Sequence, residues 1–406
     1  MKLLKQMELN LSKNQKYILT CSFGPDSMCL FDLLLKENYD FMIAHVNYHL
    51  RKEEPSEVEI LIKICEKNKI PLDILDVWMP KGVNEEGWAR KVRYDYFSET
   101  ARKYGIENVL VAHNEDDLLE TYLLQKRRGN IVSFYGLKEV YEYKDAKIIR
   151  PLLKIPKAKL REYCDENHVP YGLDLSNFDT HYARNKLRKE VVKDMPREQR
   201  DLLLKEIDDK NKIQNDESQH LLSLVNNHAL EVNKLLALSV EEFYLLMILY
   251  FESEHYYHPL SKKFICDLFS IIKSKTTWHH AFTNKDILAL DYGFLRLYQL
   301  KVTNYEITSS NDLIMINDKS SLYYLIKNKE YKIKNGVKSN ELYVFNGLKK
   351  RVGRCFIDWK VPYVYRLLWP IIYDKDGEII YIPHYQRDYK MNEDSLIFFN
   401  IGKFLK

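Results

Sequence analysis

The chain has 406 residues, 46% of them hydrophobic, which is enough for real cores in two or three domains. Its 62 Lys and Arg nearly balance 58 Asp and Glu, so a net charge of +4 does not announce nucleic-acid binding, and any RNA surface must come from local clustering. Cys21, Cys29, Cys65, Cys164, Cys266 and Cys355 form no Cys-x-x-Cys pair, the start lacks an apolar signal region, and no run of about 20 apolar residues suggests a membrane span, so the expectation is a cytoplasmic chain in a reducing compartment with no membrane partner.

Residues 17–21 read as a buried strand and 28–35 as a buried helix, joined by Ser22-Phe23-Gly24-Pro25-Asp26-Ser27. A strand, a Ser/Gly/Asp/Ser turn and a helix N-terminus make an anion site. The first helical amides have no partner inside the helix, and the dipole favours negative charge. Ser22 and Ser27 add hydroxyls; Asp26 repels a bare phosphate, so a metal ion or an arginine belongs between them. An ordinary capped βα turn is the bland reading of these six residues. Neither a Gly-Lys-Ser/Thr ending nor a Gly-x-Gly-x-x-Gly fingerprint is present.

Further strands are expected at 41–46, 72–77 and 108–112, and helices at 56–68, 85–104 and 115–127. Alternating units of this kind imply a mostly parallel sheet with helices on both faces and a ligand at the carboxyl ends of the strands. Polar clusters at 22–27, 45–51 and 113–120 follow strand ends and point to one shared site. The charged segment 196–235 reads as a long helix, 239–275 continues helically, 292–298 reads as a strand, and the last hundred residues as short strands and turns. Domain boundaries fall near 196–215 and 305–330.

Four clusters could carry chemistry. His45, His49 and Arg51 lie just past a strand. Glu86, Arg90, Arg93 and Phe97 follow helical spacing, which suits a surface ion-pair ladder, a triphosphate or an RNA backbone. Asp117 and Glu120 lie three apart at a strand-to-helix junction: they cap the helix, or they bind magnesium, hold a substrate ammonium or accept its proton. The basic residues Arg128, Arg184, Lys186, Arg188 and Lys189, with Phe178 and Tyr182, are a solvated face or an RNA contact.

In order, these segments resemble the tRNA(Ile)-lysidine synthetase family of N-type ATP-pyrophosphatases. The family's phosphate loop reads Ser-Gly-Gly-x-Asp-Ser, matched by Ser22, Gly24, Asp26 and Ser27. Its later signatures resemble 45–51, 86–97, 112–129, 150–153 and 174–188, and its C-terminal domain resembles 361–372. Phe23 stands where the family has its first loop glycine, Tyr48 replaces a usual His, and Leu118 a usual Gln. Phe23 is expected to keep extended backbone angles and pack inward, leaving Gly24 as the flexible position.

The resemblance implies an α/β, Rossmann-like parallel-sheet ATP-pyrophosphatase domain over 1–200, a mostly helical tRNA-binding domain over 201–315 and a small α+β C-terminal tRNA-recognition domain over 316–406. It implies that ATP adenylates the 2-carbonyl oxygen of the wobble cytidine of tRNA(Ile) with a CAU anticodon, and that free L-lysine then displaces AMP. Ser22, Phe23, Gly24, Pro25, Asp26, Ser27 and His45 would bind the nucleotide, with Mg²⁺ at Asp26. Arg90 and Arg93 would neutralise the α-phosphate, and Asp117 and Glu120 would bind lysine and take its proton. Arg128, Arg184, Asn185 and Arg188, with the tail residues Lys349, Lys350, Arg351 and Arg354, would contact tRNA. A homodimer is a further expectation. The rival readings are a tRNA thiolase of the same superfamily, disfavoured by the cysteine pattern, and a non-catalytic RNA-binding protein, for which Phe23 speaks and Asp26, Asp117 and Glu120 do not.

Overall fold

The computed structural model describes residues 9–49, 54–172, 191–192, 194–257, 260–300, 307–310, 313–316, 332–335, 342–345, 348–367, 369–373 and 376–382. The chain divides into two compact units, Met1–His220 with His255–Pro259, and Leu221–Glu254 with Leu260–Lys406.

The first unit is built from β1 (Lys16–Thr20), α1 (Pro25–Lys36), β2 (Asp40–Asn47), α2 (Glu54–Asn68), β3 (Leu72–Asp76), α3 (Glu85–Tyr104), β4 (Asn108–Val111), α4 (Glu115–Arg128), β5 (Val140–Tyr143), β6 (Ala146–Ile149), α5 (Lys157–Glu166) and α6 (Arg197–Leu222). Its sheet runs β3-β2-β1-β4-β6-β5, parallel except for the edge strand β5. Side chains of successive strand residues alternate between faces. Tyr17, Leu19, Phe41 and Ile43 therefore join a core with α1 and α5, while Ile18, Met42 and Ala44 join one with Tyr94 and Phe97 of α3. With both faces covered, the central strands read as continuous apolar runs, which is why they were legible.

The chain steps outward from β1 to β2 and β3, then returns to β4 on the other side of β1. The order of strands thus reverses between β1 and β4, where such sheets open a crevice at their carboxyl ends. The loops after β1 and β4 carry 22–27 and 112–114.

The second unit contains β7 (Val225–Asn226), β8 (Ala229–Glu231), α7 (Val232–Leu235), α8 (Val240–Ser253), α9 (Lys262–Ser274), β9 (Trp278–Ala281), β10 (Asp286–Asp291) and β11 (Phe294–Gln299). Its strands form an antiparallel sheet, β7-β8-β11-β10-β9. Further on come the helices Val352–Asp358 and Tyr363–Arg366 and short antiparallel strands. Three expectations differ from what is observed, each at left-handed backbone. The helical run expected over 239–275 is two helices, Val240–Ser253 and Lys262–Ser274, with His255 (φ 55) after the first. The long helix over 196–235 ends at Leu222, and a hairpin turns at Asn227 (φ 47) and His228 (φ 57). The strand expected from 292 begins at Phe294, because Tyr292 (φ 51) and Gly293 (φ 83) form the turn before it.

Candidate active site at the sheet switch point

The loop after β1 is short and internally bonded. Gly24 caps α1 with extended angles (φ −76, ψ 166), and Pro25 occupies the first helical position, where its missing N–H costs nothing. Ser27 Oγ donates to the Gly24 carbonyl at 3.0 Å and lies 3.4 Å from Ser22 Oγ. The expectation for Phe23 is half corrected. Its ring is packed inward, 3% exposed, but its backbone is left-handed, φ 61, and Gly24 takes the extended conformation instead. A phenylalanine thus takes positive φ at the position where the resembled loop has glycine, with its ring buried.

His45, at 6% exposure on β2, sits beside this loop. Its Nδ1 lies 2.7 Å from the Cys21 carbonyl. A carbonyl only accepts, so Nδ1 carries the proton there.

α4 begins with a capping box. Asn114 Oδ1 accepts from the amides of Asp116 (2.9 Å) and Asp117 (3.2 Å), and Asp117 Oδ2 accepts from the Asn114 amide at 3.1 Å. The Asn114 side chain also reaches across the crevice, and its Nδ2 donates to Asp26 Oδ2 at 3.0 Å. Lys157 Nζ approaches the same oxygen at 3.5 Å. The phosphate-loop candidate and the acidic helix are therefore joined by one side chain. Asp117 is half-buried, whereas Glu120, one turn on, is fully buried.

A buried guanidinium lies behind β4. Arg150, 2% exposed, donates from Nε to His113 Nδ1 at 2.8 Å and from its other nitrogens to the Lys138 carbonyl and Tyr94 Oη. With Nδ1 accepting, a neutral His113 carries its proton on Nε2. Arg90 lies over the Tyr94 ring at 4.8 Å. Burial opposes ionisation of Tyr94, but Arg90 and Arg150 outweigh it and hold the phenol below its usual range. Arg90 thus connects through Tyr94 and Arg150 to His113, the residue before the α4 cap. Arg93 is exposed on α3.

The two other acids of the 113–120 cluster are structural. Glu115, fully buried, accepts from Arg197 at 2.9 Å and Arg200 at 3.1 Å; Asp116 accepts from Arg200 at 2.9 Å and from the Lys157 amide at 3.3 Å. They fasten α6 to the start of α4. Asn114 sits in an Asn-x-x-Asp capping pattern, whereas Lys157, Arg197 and Arg200 carry no local signal, because the site acids they meet lie 41 to 131 residues away.

Arg128 is exposed at the end of α4, about 16 Å along the helix axis from Asp117. Lys349 and Arg351 are exposed, while Lys350 and Arg354 pair with Asp358 at 3.6 and 3.0 Å. Arg184, Asn185, Arg188 and Arg51 lie outside the described residues, as does the side chain of Glu86.

The PP-loop domain family matches residues 1–195 of the chain. A tRNA(Ile)-lysidine synthase of Mycoplasma mycoides subsp. mycoides SC is 32% identical over 395 residues, covering 91% of this chain and 97% of that one. One from Thermotoga sp. (strain RQ2) is 26% identical over 95% of both. One from Ureaplasma parvum serovar 3 is 40% identical over 45% of this chain and 56% of that one. With a PP-loop half, a loop joined through Asn114 to an acidic helix, and a likeness running almost end to end, the chain belongs to the tRNA(Ile)-lysidine synthase family.

Proposed function

We infer that the chain ligates free L-lysine to the 2-carbon of the wobble cytidine of tRNA(Ile) with a CAU anticodon, consuming ATP and releasing AMP and pyrophosphate. The observation that carries this reading is the 3.0 Å hydrogen bond from Asn114 to Asp26. It gives one crevice both the groups that suit phosphates and the acids that suit an ammonium group.

In the first step the cytidine 2-carbonyl oxygen attacks the α-phosphorus of ATP and the bond to pyrophosphate breaks. A carbonyl oxygen is a weak nucleophile, so the phosphates must be held in line and their charge neutralised. The Gly24-capped helix N-terminus with Ser22 and Ser27 suits the β and γ phosphates. Lys157, beside Asp26, adds a cation that sequence reading missed. Arg90 suits the α-phosphate, with Arg93 as the further candidate. The residues also fit Mg²⁺. Asp26 offers carboxylate oxygens at the helix N-terminus, the hard donor such an ion takes alongside substrate phosphates. Bound there, it would neutralise phosphate charge.

In the second step a lysine amine attacks the activated carbon, AMP leaves, and one proton must go to a base. Asp117 is better placed than Glu120, because it is half-buried at the mouth of α4 while Glu120 has no solvent-facing surface. Sulfur transfer, the rival chemistry, finds poor nucleophiles near the loop. Burial raises the Cys21 thiol and brings Cys65 to about 12, away from thiolate reactivity.

The test uses ATP labelled at the α-phosphate. With tRNA(Ile) present and lysine withheld, label should stay on the RNA, and adding lysine should release it as AMP. Formation of ADP, or AMP release indifferent to lysine, would refute the reading.

A further inference from the structure

A phenylalanine at φ 61 is uncommon, because its Cβ crowds the backbone, and such residues persist only where the surroundings hold them. Two contacts hold Phe23. Its ring is buried in the core shared with α1 and α5. Its carbonyl accepts from the Gly172 amide at 2.8 Å. Gly172 makes that approach possible, since a Cβ there would stand 3.2 Å from Phe23 Cδ1 and 2.2 Å from Glu57 Oε1.

The last of these contacts has a geometric consequence. The carbonyl and amide of one trans peptide point in opposite directions. With the Phe23 carbonyl turned toward Gly172, the Gly24 amide of the same peptide is turned the other way. Gly24 is the α1 cap, in the turn that brings Ser22 and Ser27 Oγ within 3.4 Å of each other. Backbone amides presented beside a helix N-terminus by a left-handed residue form an anion concavity.

We propose that Phe23 is a positioning residue for ATP: its buried ring and its bond to Gly172 fix the 23–24 peptide so that the Gly24 amide is offered to a phosphate. The proposal rests on the ATP reading above. Glycine in the same place reaches the same angles but must be ordered when the nucleotide arrives. Phe23 orders the loop beforehand, and pre-ordering tightens binding.

The experiment is calorimetric titration of the full chain with ATP, alongside thermal unfolding and steady-state kinetics. Phe23→Gly keeps positive φ accessible and removes the anchor. It should weaken ATP binding about tenfold, with the loss falling on KM for ATP rather than on kcat or KM for lysine. Phe23→Leu, which restores an apolar anchor, should recover most of the affinity. Gly172→Ala, which presses on the same ring, should weaken ATP in the same sense without lowering the melting temperature appreciably. Wild-type ATP affinity in Phe23→Gly, or equal losses toward ATP and lysine, would overturn the proposal. Failure of the unaltered chain to bind ATP would instead overturn the functional reading beneath it.

Discussion

Replacing Arg200 with methionine tests how the acidic helix is held in place. Arg200 donates to the Met195 carbonyl at 3.3 Å, Glu115 at 3.1 Å, Asp116 at 2.9 and 3.4 Å, and the Val192 carbonyl at 2.6 Å. Its side chain is 10% exposed and that of Glu115 fully buried, so this is an interior ion cluster. Methionine keeps much of the volume and deletes the charge. Removing one partner of a buried pair costs about 3–5 kcal/mol, because the other charge is left uncompensated. Here Glu115 keeps Arg197 at 2.9 Å and Asp116 keeps the Lys157 amide at 3.3 Å, so the low end, about 3 kcal/mol, is expected. Urea unfolding of Arg200→Met should show a correspondingly lower midpoint. Adding Asp116→Asn should recover part of the loss, because without Arg200 the Asp116 carboxylate keeps the Lys157 amide but no cation. A loss below about 1 kcal/mol, the range of exposed ion pairs, would refute the reasoning.

Three further outcomes follow from the same geometry. Asp117→Ala should raise KM for lysine and lower kcat, and normal lysine dependence would remove Asp117 from its role. Burial raises the Asp73 carboxyl, but hydrogen bonds from Lys103, Tyr104 and Tyr96 outweigh it and hold it below its usual value. That contribution is present above the unfolded carboxylate range and lost as pH falls through the depressed folded value. The stability gap to Asp73→Asn should therefore close below about pH 4, and a gap constant across an acid titration would contradict it. Arg128→Ala should lower the salt slope of tRNA binding by about one, as removal of one phosphate contact does; an unchanged slope would take Arg128 out of the interface.

The first unit was legible because its central strands are apolar on both faces and its signals are short and local: the serine-rich turn, the acidic cluster at 113–120 and helical spacing along α3. The clamp of Arg197 and Arg200 on Glu115 and Asp116 was not legible, because it depends on contacts more than 80 residues apart. Four acids fall within six residues, 115–120, and burial sorts them: Glu115 and Asp116 bind arginines, Glu120 is fully buried, and Asp117 stays half-buried. The backbone of Phe23 departs from expectation for a related reason. The preference of L-residues for negative φ is local, and a buried ring with a bond to Gly172 overrides it. The turns at 227–228 and 292–293 were missed because three of their four residues are not glycine.

Lysine ligation is measured most directly as incorporation of radiolabelled lysine into tRNA(Ile) bearing CAU, with ATP and Mg²⁺, beside elongator tRNA(Met). Label in the first RNA and not in the second is the predicted result. No label in tRNA(Ile) while ATP is still cleaved to AMP on that RNA would contradict lysine as the nucleophile.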